Sequence, residues 1–272
     1  MIIIFSIEYI IGLALIGIVA GFASGLLGVG GGFLIVPLQL FLMESIDVDP
    51  RISMLVALGT SLAIIIPTSI SGAYRHSKST SNMVKPGIKL GVFGIVGSLI
   101  GGQLASILPT DILQFIFGIF LICIAIYNFL TINKKDSESK IKFNLINAAI
   151  IGIGIGILSG LLGVGGGIFV IVALTALLGF ALVDAVGISS VYICLTAVGG
   201  VISYIVSGWG VNPLPYSVGY INLINWFFIA ICSVPLAYFG ANVSHSLPEK
   251  RLKQVFAIIL VYIGLRMLGV LP

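Results

Sequence analysis

The sequence predicts an all-α polytopic membrane protein made of two homologous helical halves, inverted with respect to each other, with glycine-interrupted helices and eight to ten membrane segments. Three observations predict it. Hydrophobic residues fill 59% of the 272 positions and charged residues only 8%, where a soluble domain carries about 25% charged residues. So little polar cover cannot clothe a water-exposed surface. Apolar runs near the length that crosses a bilayer, about 20 residues, recur down the whole chain. One nine-residue string, SGLLGVGGG, occurs twice, at Ser24–Gly32 and at Ser159–Gly167.

The runs lie near 8–27, 33–43, 52–74, 87–107, 111–131, 143–162, 168–182, 184–206, 219–241 and 251–270. Those at 33–43 and 168–182 each follow a copy of the string and are short for full spans. About 11 helical residues rise only ~17 Å, against a hydrocarbon core of ~30 Å. The opening MIIIFSIEYI has neither a basic leading region nor a small-residue cleavage site, so a cleaved signal peptide is not expected. Cys123, Cys194 and Cys232 fall inside apolar runs at no metal-binding spacing and read as packing residues.

The likeness between halves extends past the string. Gly59–Thr60–Ser61, Thr68 and Gly72 recur at the same spacing as Gly187–Ile188–Ser189, Thr196 and Gly200. Gly101–Pro109 (GGQLASILP) resembles Gly240–Pro248 (GANVSHSLP). Residues 1–133 and 143–272 are thus two membrane repeats, joined by a polar linker at 134–142.

Eleven of the thirteen Lys and Arg fall in Arg75–Lys89, Lys134–Lys142 and Lys250–Lys253. The positive-inside rule places these stretches (loops 75–89, 134–142 and 249–253) on the cytoplasmic side of a cell (plasma) membrane. That accounts for the net charge of +4 without a nucleic-acid partner. Glu44, Asp47, Asp49 and Asp111 then face outside. The first half enters its glycine string from outside and the second from inside, which inverts the halves if each string joins two antiparallel arms. Were each string inside a single crossing, there would be eight spans and parallel halves. Inverted repeats with interrupted helices are a recurring plan of secondary transporters.

GVGGG breaks a helix, since glycine is about 1 kcal/mol less favourable than alanine in a helix interior. The released amides are tolerated at membrane depth only when buried in protein or facing water. The two strings should therefore pack on each other or line a cavity. A helix starting at Phe33 or Ile168 aims its N-terminus there, and unpaired N–H groups at such a terminus suit an anion. Ser24 and Ser159, one turn earlier, add hydroxyl donors. Two roles are open to Gly28, Gly30, Gly31 and Gly32 and to Gly163, Gly165, Gly166 and Gly167: close packing alone, or packing plus a substrate site. Gly152, Gly156 and Gly160, at four-residue spacing, read as a packing ridge. The string is neither a P-loop, having no terminal Gly-Lys-Ser/Thr, nor a dinucleotide fingerprint, having no βαβ setting.

Hydroxyls cluster in the matching runs of the two halves: Thr60, Ser61, Thr68 and Ser69 in one, Ser189, Ser190, Tyr192 and Thr196 in the other. They either bond their own helix carbonyls or converge on a substrate. Gln39, in the short run after the first string, aligns with Leu174; it either binds substrate or faces headgroups. Pro37 kinks or shortens its helix. Arg266, close to the end of the last run, snorkels or acts as a counter-charge to an anion. Glu8 and Asp184 near run starts, and Arg51 and Arg75 at the two ends of one run, read as interfacial. His76 and His245 read as loop residues.

These residues resemble the sulfite exporter TauE/SafE family. The resemblance rests on the doubled SGLLGVGGG, on Gly59–Ser61 followed by Pro67–Thr68–Ser69, and on the LPTD and LPEK turns at Leu108–Asp111 and Leu247–Lys250. It covers nearly the whole chain. It implies a bacterial-type inner-membrane permease for small sulfur-containing anions such as sulfite and sulfoacetate-like organosulfonates; separately, the residue spacing leads to no expectation of a cofactor or metal. The second half departs from the family's GTS, with Ile188 where Thr60 stands, which weakens a symmetric role for the hydroxyls.

The function expected is secondary transport, as an exporter working by alternating access. A passive anion channel, or a substrate-binding membrane subunit of a larger complex, is the alternative. An enzyme is not expected: the chain has no HExxH, GxSxG or paired membrane carboxylates. The partners expected are the small anion, the lipid bilayer and, as a compatible assembly, a second copy in a homodimer.

Overall fold

In hydrocarbon a backbone satisfies its own N–H and C=O groups only as a helix or a closed barrel, and nearly every apolar run folds accordingly. The computed structural model describes residues 6–27, 30–77, 84–130, 143–211, 213–243 and 249–271. Gly28, the 134–142 linker, residues 78–83 and His245 lie outside the described residues, while 75–77, 84–89 and 249–253 are helical rather than loop, so His76 is a helix residue. The first half forms α1 (Ile7–Leu27), α2 (Gly32–Glu44), α3 (Pro50–Ser77), α4 (Val84–Ile107) and α5 (Thr110–Leu130). The second forms α6 (Leu145–Leu162), α7 (Gly167–Val172, continuing as a π-helical turn over Ala173–Leu177), α8 (Leu182–Ser207), α9 (Leu223–Val243) and α10 (Glu249–Met267). Among the described residues, seven helices are long and apolar enough to cross a membrane, and three shorter apolar ones accompany them.

Two details differ from the run boundaries. The run at 168–182 is not one helix: its hydrogen bonds widen into the π turn, and Gly179 takes φ 67°, ending it with Phe180 N–H donating to the Leu174 carbonyl at 2.9 Å. The run starting at 219 begins with a strand. Ser217–Val218 (β1) pairs antiparallel with Ile221–Asn222 (β2), because Pro213 and Pro215 oppose a helix and Gly219 turns the chain at φ 59°.

The halves interlock. α4 packs on α6 and α8, while its counterpart α9 packs on α1 and α3. Each contact in one half thus has its image in the other. The seams are glycine-lined, so backbones touch. A Cβ on Gly156 would lie 2.5 Å from the Gly94 carbonyl, and one on Gly21 would lie 2.5 Å from the Ser233 carbonyl. Gly152, Gly156 and Gly160 do form the ridge read from their spacing, against Leu90, Gly94 and Ser98 of α4. Such close approach is what small residues contribute to membrane helix packing.

The equivalent helices α3 and α8 cross antiparallel. Gly59 lies at Tyr204, Gly200 at Leu62, and Gly72 at Ser190. Each glycine string reverses the chain. Gly31 returns to Ala20 and Ser24, and Gly12 meets Leu42, so α2 runs back along α1. Gly166 returns to Ile155 and Ser159 in the same way.

Candidate functional site

Where both strings are described, they take the same backbone turn. Gly30 and Gly31 have φ 83° and 74°, Gly165 and Gly166 φ 78° and 75°, a region L side chains rarely enter. Gly31 and Gly166 sit immediately before α2 and α7, with no side-chain cap. The breaks meet. A Cβ on Gly30 would contact Ile193 at 3.3 Å and Ile65 at 3.6 Å, and one on Gly165 would contact the same two side chains at 2.8 and 3.3 Å. Ile65 on α3 and Ile193 on α8 are themselves equivalent positions. A Cβ on Gly32 would lie 2.8 Å from both the Gly163 carbonyl and the Val164 Cα. The strings therefore pack on each other, one of the two arrangements the freed amides require.

The hydroxyls divide by partner. Thr68 donates to the Ile64 and Ile65 carbonyls at 3.0 Å, Ser69 to Ile66, Ser190 to Val186 and Thr196 to Tyr192 at 2.9 Å. These are satisfied within their own helices. Ser189 donates to the Gly167 carbonyl at 3.1 Å, fastening α8 to the second string. Thr60 accepts the Asn222 N–H at 3.0 Å. Ser24 is buried beside Gly31.

Gln39, Ser61 and Ser159 stand apart. Each is fully buried, and neither end of the Gln39 amide nor either hydroxyl has a hydrogen-bond partner. Ser61 lies between Leu58, against which Gly163 packs, and Ile65, on which both strings converge. Ser159 lies against Gly166. Gln39 is thus not a headgroup-facing residue. Leaving a buried polar group unpaired costs about 1–3 kcal/mol, so such groups call for a reason.

Sequence reading missed part of the polar interior. Ser98, hidden in the glycine-rich run of α4, is fully buried and unpartnered, with its Oγ 2.8 Å from where a Cβ on Gly200 would sit. Asn222 accepts the Asn225 N–H at 3.0 Å and so caps α9. Asn225 in turn accepts the Tyr9 hydroxyl at 3.0 Å. Trp226 Nε1 donates to the Ala63 carbonyl, tying α9 to α3. Three neighbouring polar residues within five positions, Asn222, Asn225 and Trp226, were the available signal. Arg266 is exposed and stacks 4.0 Å above the Phe41 ring, beside Glu44 at the end of α2. No group of three or more His, Cys, Asp or Glu that could hold a metal occurs among the described residues.

Paired hairpins, broken at glycine and packed tip to tip inside an all-helical bundle, define a multi-pass membrane transporter. Residues 13–267 match the model of the family described as sulfite exporter TauE/SafE, and the chain belongs to that family. A probable membrane transporter protein of Haemophilus influenzae is 38% identical over 261 residues, covering 93% of this chain and 96% of the relative. Probable membrane transporter proteins of Methanocaldococcus jannaschii and Bacillus subtilis are each 33% identical, over 94% and 93% of this chain and 94% and 96% of theirs. No solved structure matches.

Proposed function

We propose that this protein is a secondary transporter that exports small sulfur-containing anions, such as sulfite or a sulfoacetate-like organosulfonate, across the plasma membrane by alternating access. One observation carries the reading: two identical helix breaks meet at Ile65 and Ile193, with the unpaired Ser61 and Ser159 hydroxyls beside them. Rocking one hairpin against the other exposes that junction to one side and then the other. The family description supports sulfite as the substrate class.

The halves are inverted repeats with the basic loops cytoplasmic. The antiparallel crossing of α3 and α8 and the two chain reversals support this. Export fits the energetics, since an anion leaving a negative interior gains about 2.3 kcal/mol per 100 mV.

Flux from sulfite-loaded proteoliposomes tests the function. Saturable efflux above empty liposomes is expected; efflux equal to that of empty vesicles overturns it. Cysteine labelling at positions within 78–83 and 244–248 tests the topology, with both expected to react from the cytoplasmic face.

A further inference from the structure

Four buried polar side chains without partners come from four different helices around the junction of the two strings: Gln39 on α2, Ser61 on α3, Ser98 on α4 and Ser159 on α6. A fifth, Ser207, sits at the C-terminal end of α8. The packing brings together the helix segments that carry the four. α2 leaves its turn antiparallel to α3, with Gly32 against Ile65. Gln39, seven residues along α2, is therefore level with Leu58, seven residues back along α3. Leu58 abuts Gly163, one turn beyond Ser159. The Ser98 carbonyl touches Gly160, next to Ser159, and the Ser98 hydroxyl faces Gly200 beside Leu62, next to Ser61.

The set is lopsided. Gln39 aligns with Leu174, and Ser98, by the Gly101–Gly240 correspondence, with Ala237. Ser61 is unpaired while its equivalent Ser189 is bonded to Gly167. A purely architectural device shared by both halves would not be confined so largely to one.

No Lys, Arg, His, Asp or Glu is buried among the described residues. On the elements packed here, Glu8, Glu44, Arg51, Lys85, Lys89 and Asp184 are all exposed or half-exposed. Three of the buried phenols, Tyr9, Tyr192 and Tyr204, are committed to Asn225, Gly152 and Gly160. The donors available at the junction are therefore neutral: two N–H of the amide and three hydroxyls. Neutral donors fixed in place can stabilise an oxyanion. The desolvation cost of an ion rises steeply with its charge, and no cation here offsets a second charge.

We propose that Gln39, Ser61, Ser98 and Ser159 form one asymmetric, charge-free site for a singly charged oxyanion group, the sulfonate head of an organosulfonate or hydrogensulfite, and that it rejects a doubly charged group such as sulfate. This rests on the transport reading for the substrate class but not for the geometry. Because the four side chains are enclosed, the structure corresponds to a closed form of the site.

Calorimetric titration of the purified full-length protein with methanesulfonate (a fixed monoanion) and with sulfate (a fixed dianion) tests it. Methanesulfonate should bind about tenfold tighter than sulfate or better, and Q39L and S98A should each weaken it about tenfold, the loss of one hydrogen bond to a charged group. Q39L should meanwhile raise the melting temperature, since it replaces an unpaired amide with the leucine that the other half carries. Sulfate binding as tightly as methanesulfonate, no saturable binding of either, or unchanged binding in both variants overturns the site. Sulfite efflux that persists where Q39L has no effect on binding leaves the transport reading standing. Wild-type protein that binds methanesulfonate but passes no sulfite leaves this site standing and removes the transport reading.

Discussion

The α1–α2 and α6–α7 hairpins begin from nine identical residues and end differently. At the break the paired glycines Gly30/Gly165 and Gly31/Gly166 differ by at most 5° in φ (83° and 74° against 78° and 75°). Past it, α2 continues as a regular helix of 13 residues carrying Pro37 and the unpaired Gln39. α7 has six residues before it loosens into a π turn, with Leu174 where Gln39 would be. The string determines where the chain reverses. The segment after it determines what the reversal presents: an unpaired amide in one half and a leucine in the other.

The largest effect expected attacks what the hairpins share. G163A forces a side chain into φ 64° and against the Leu58 backbone at 2.8 Å. It should cost about 3 kcal/mol, the sum of the left-handed penalty and overpacking. G31A, held at φ 74° with Ala20 at 2.9 Å, should cost nearly as much. Thermal unfolding in detergent reads both. If either variant melts as the wild type does, the breaks do not require glycine at those positions.

Exchanging the residues that differ sharpens the contrast. Q39L should stabilise the fold by about 1–3 kcal/mol by removing an unpaired amide, and L174Q should destabilise it by a similar amount by creating one. Opposite signs in melting temperature are the expected result. Equal signs would mean that the two positions are not equivalent environments. A protein that keeps a destabilising polar group at its centre fits the usual exchange of stability for function.

A smaller effect separates the two serines. S189A should cost about 1 kcal/mol, the net worth of its bond to Gly167. S61A, which breaks no bond, should leave stability unchanged or slightly raised and should lower sulfite efflux in proteoliposomes.

What the sequence determined by itself was local. Membrane character follows from the scarcity of charge, and helix positions follow from the apolar runs. The breaks follow from adjacent glycines, whose conformational freedom is a property of each residue alone. The repeat and its family were readable from the doubled string.

What only the tertiary structure decided is which polar groups are satisfied. Ser61 and Ser189 occupy equivalent positions in equivalent runs, yet one is bonded to Gly167 and the other to nothing. Ser98 was invisible among glycines until α4 was seen seated between α6 and α8. The swap of packing partners, α4 into the second half and α9 into the first, was equally hidden. Hydrogen-bond satisfaction and helix pairing depend on residues far apart in the chain, such as Tyr192 with Gly152, 40 apart, and Thr60 with Asn222, 162 apart. Residue type and spacing carry no record of that distance, so only the folded arrangement can assign it.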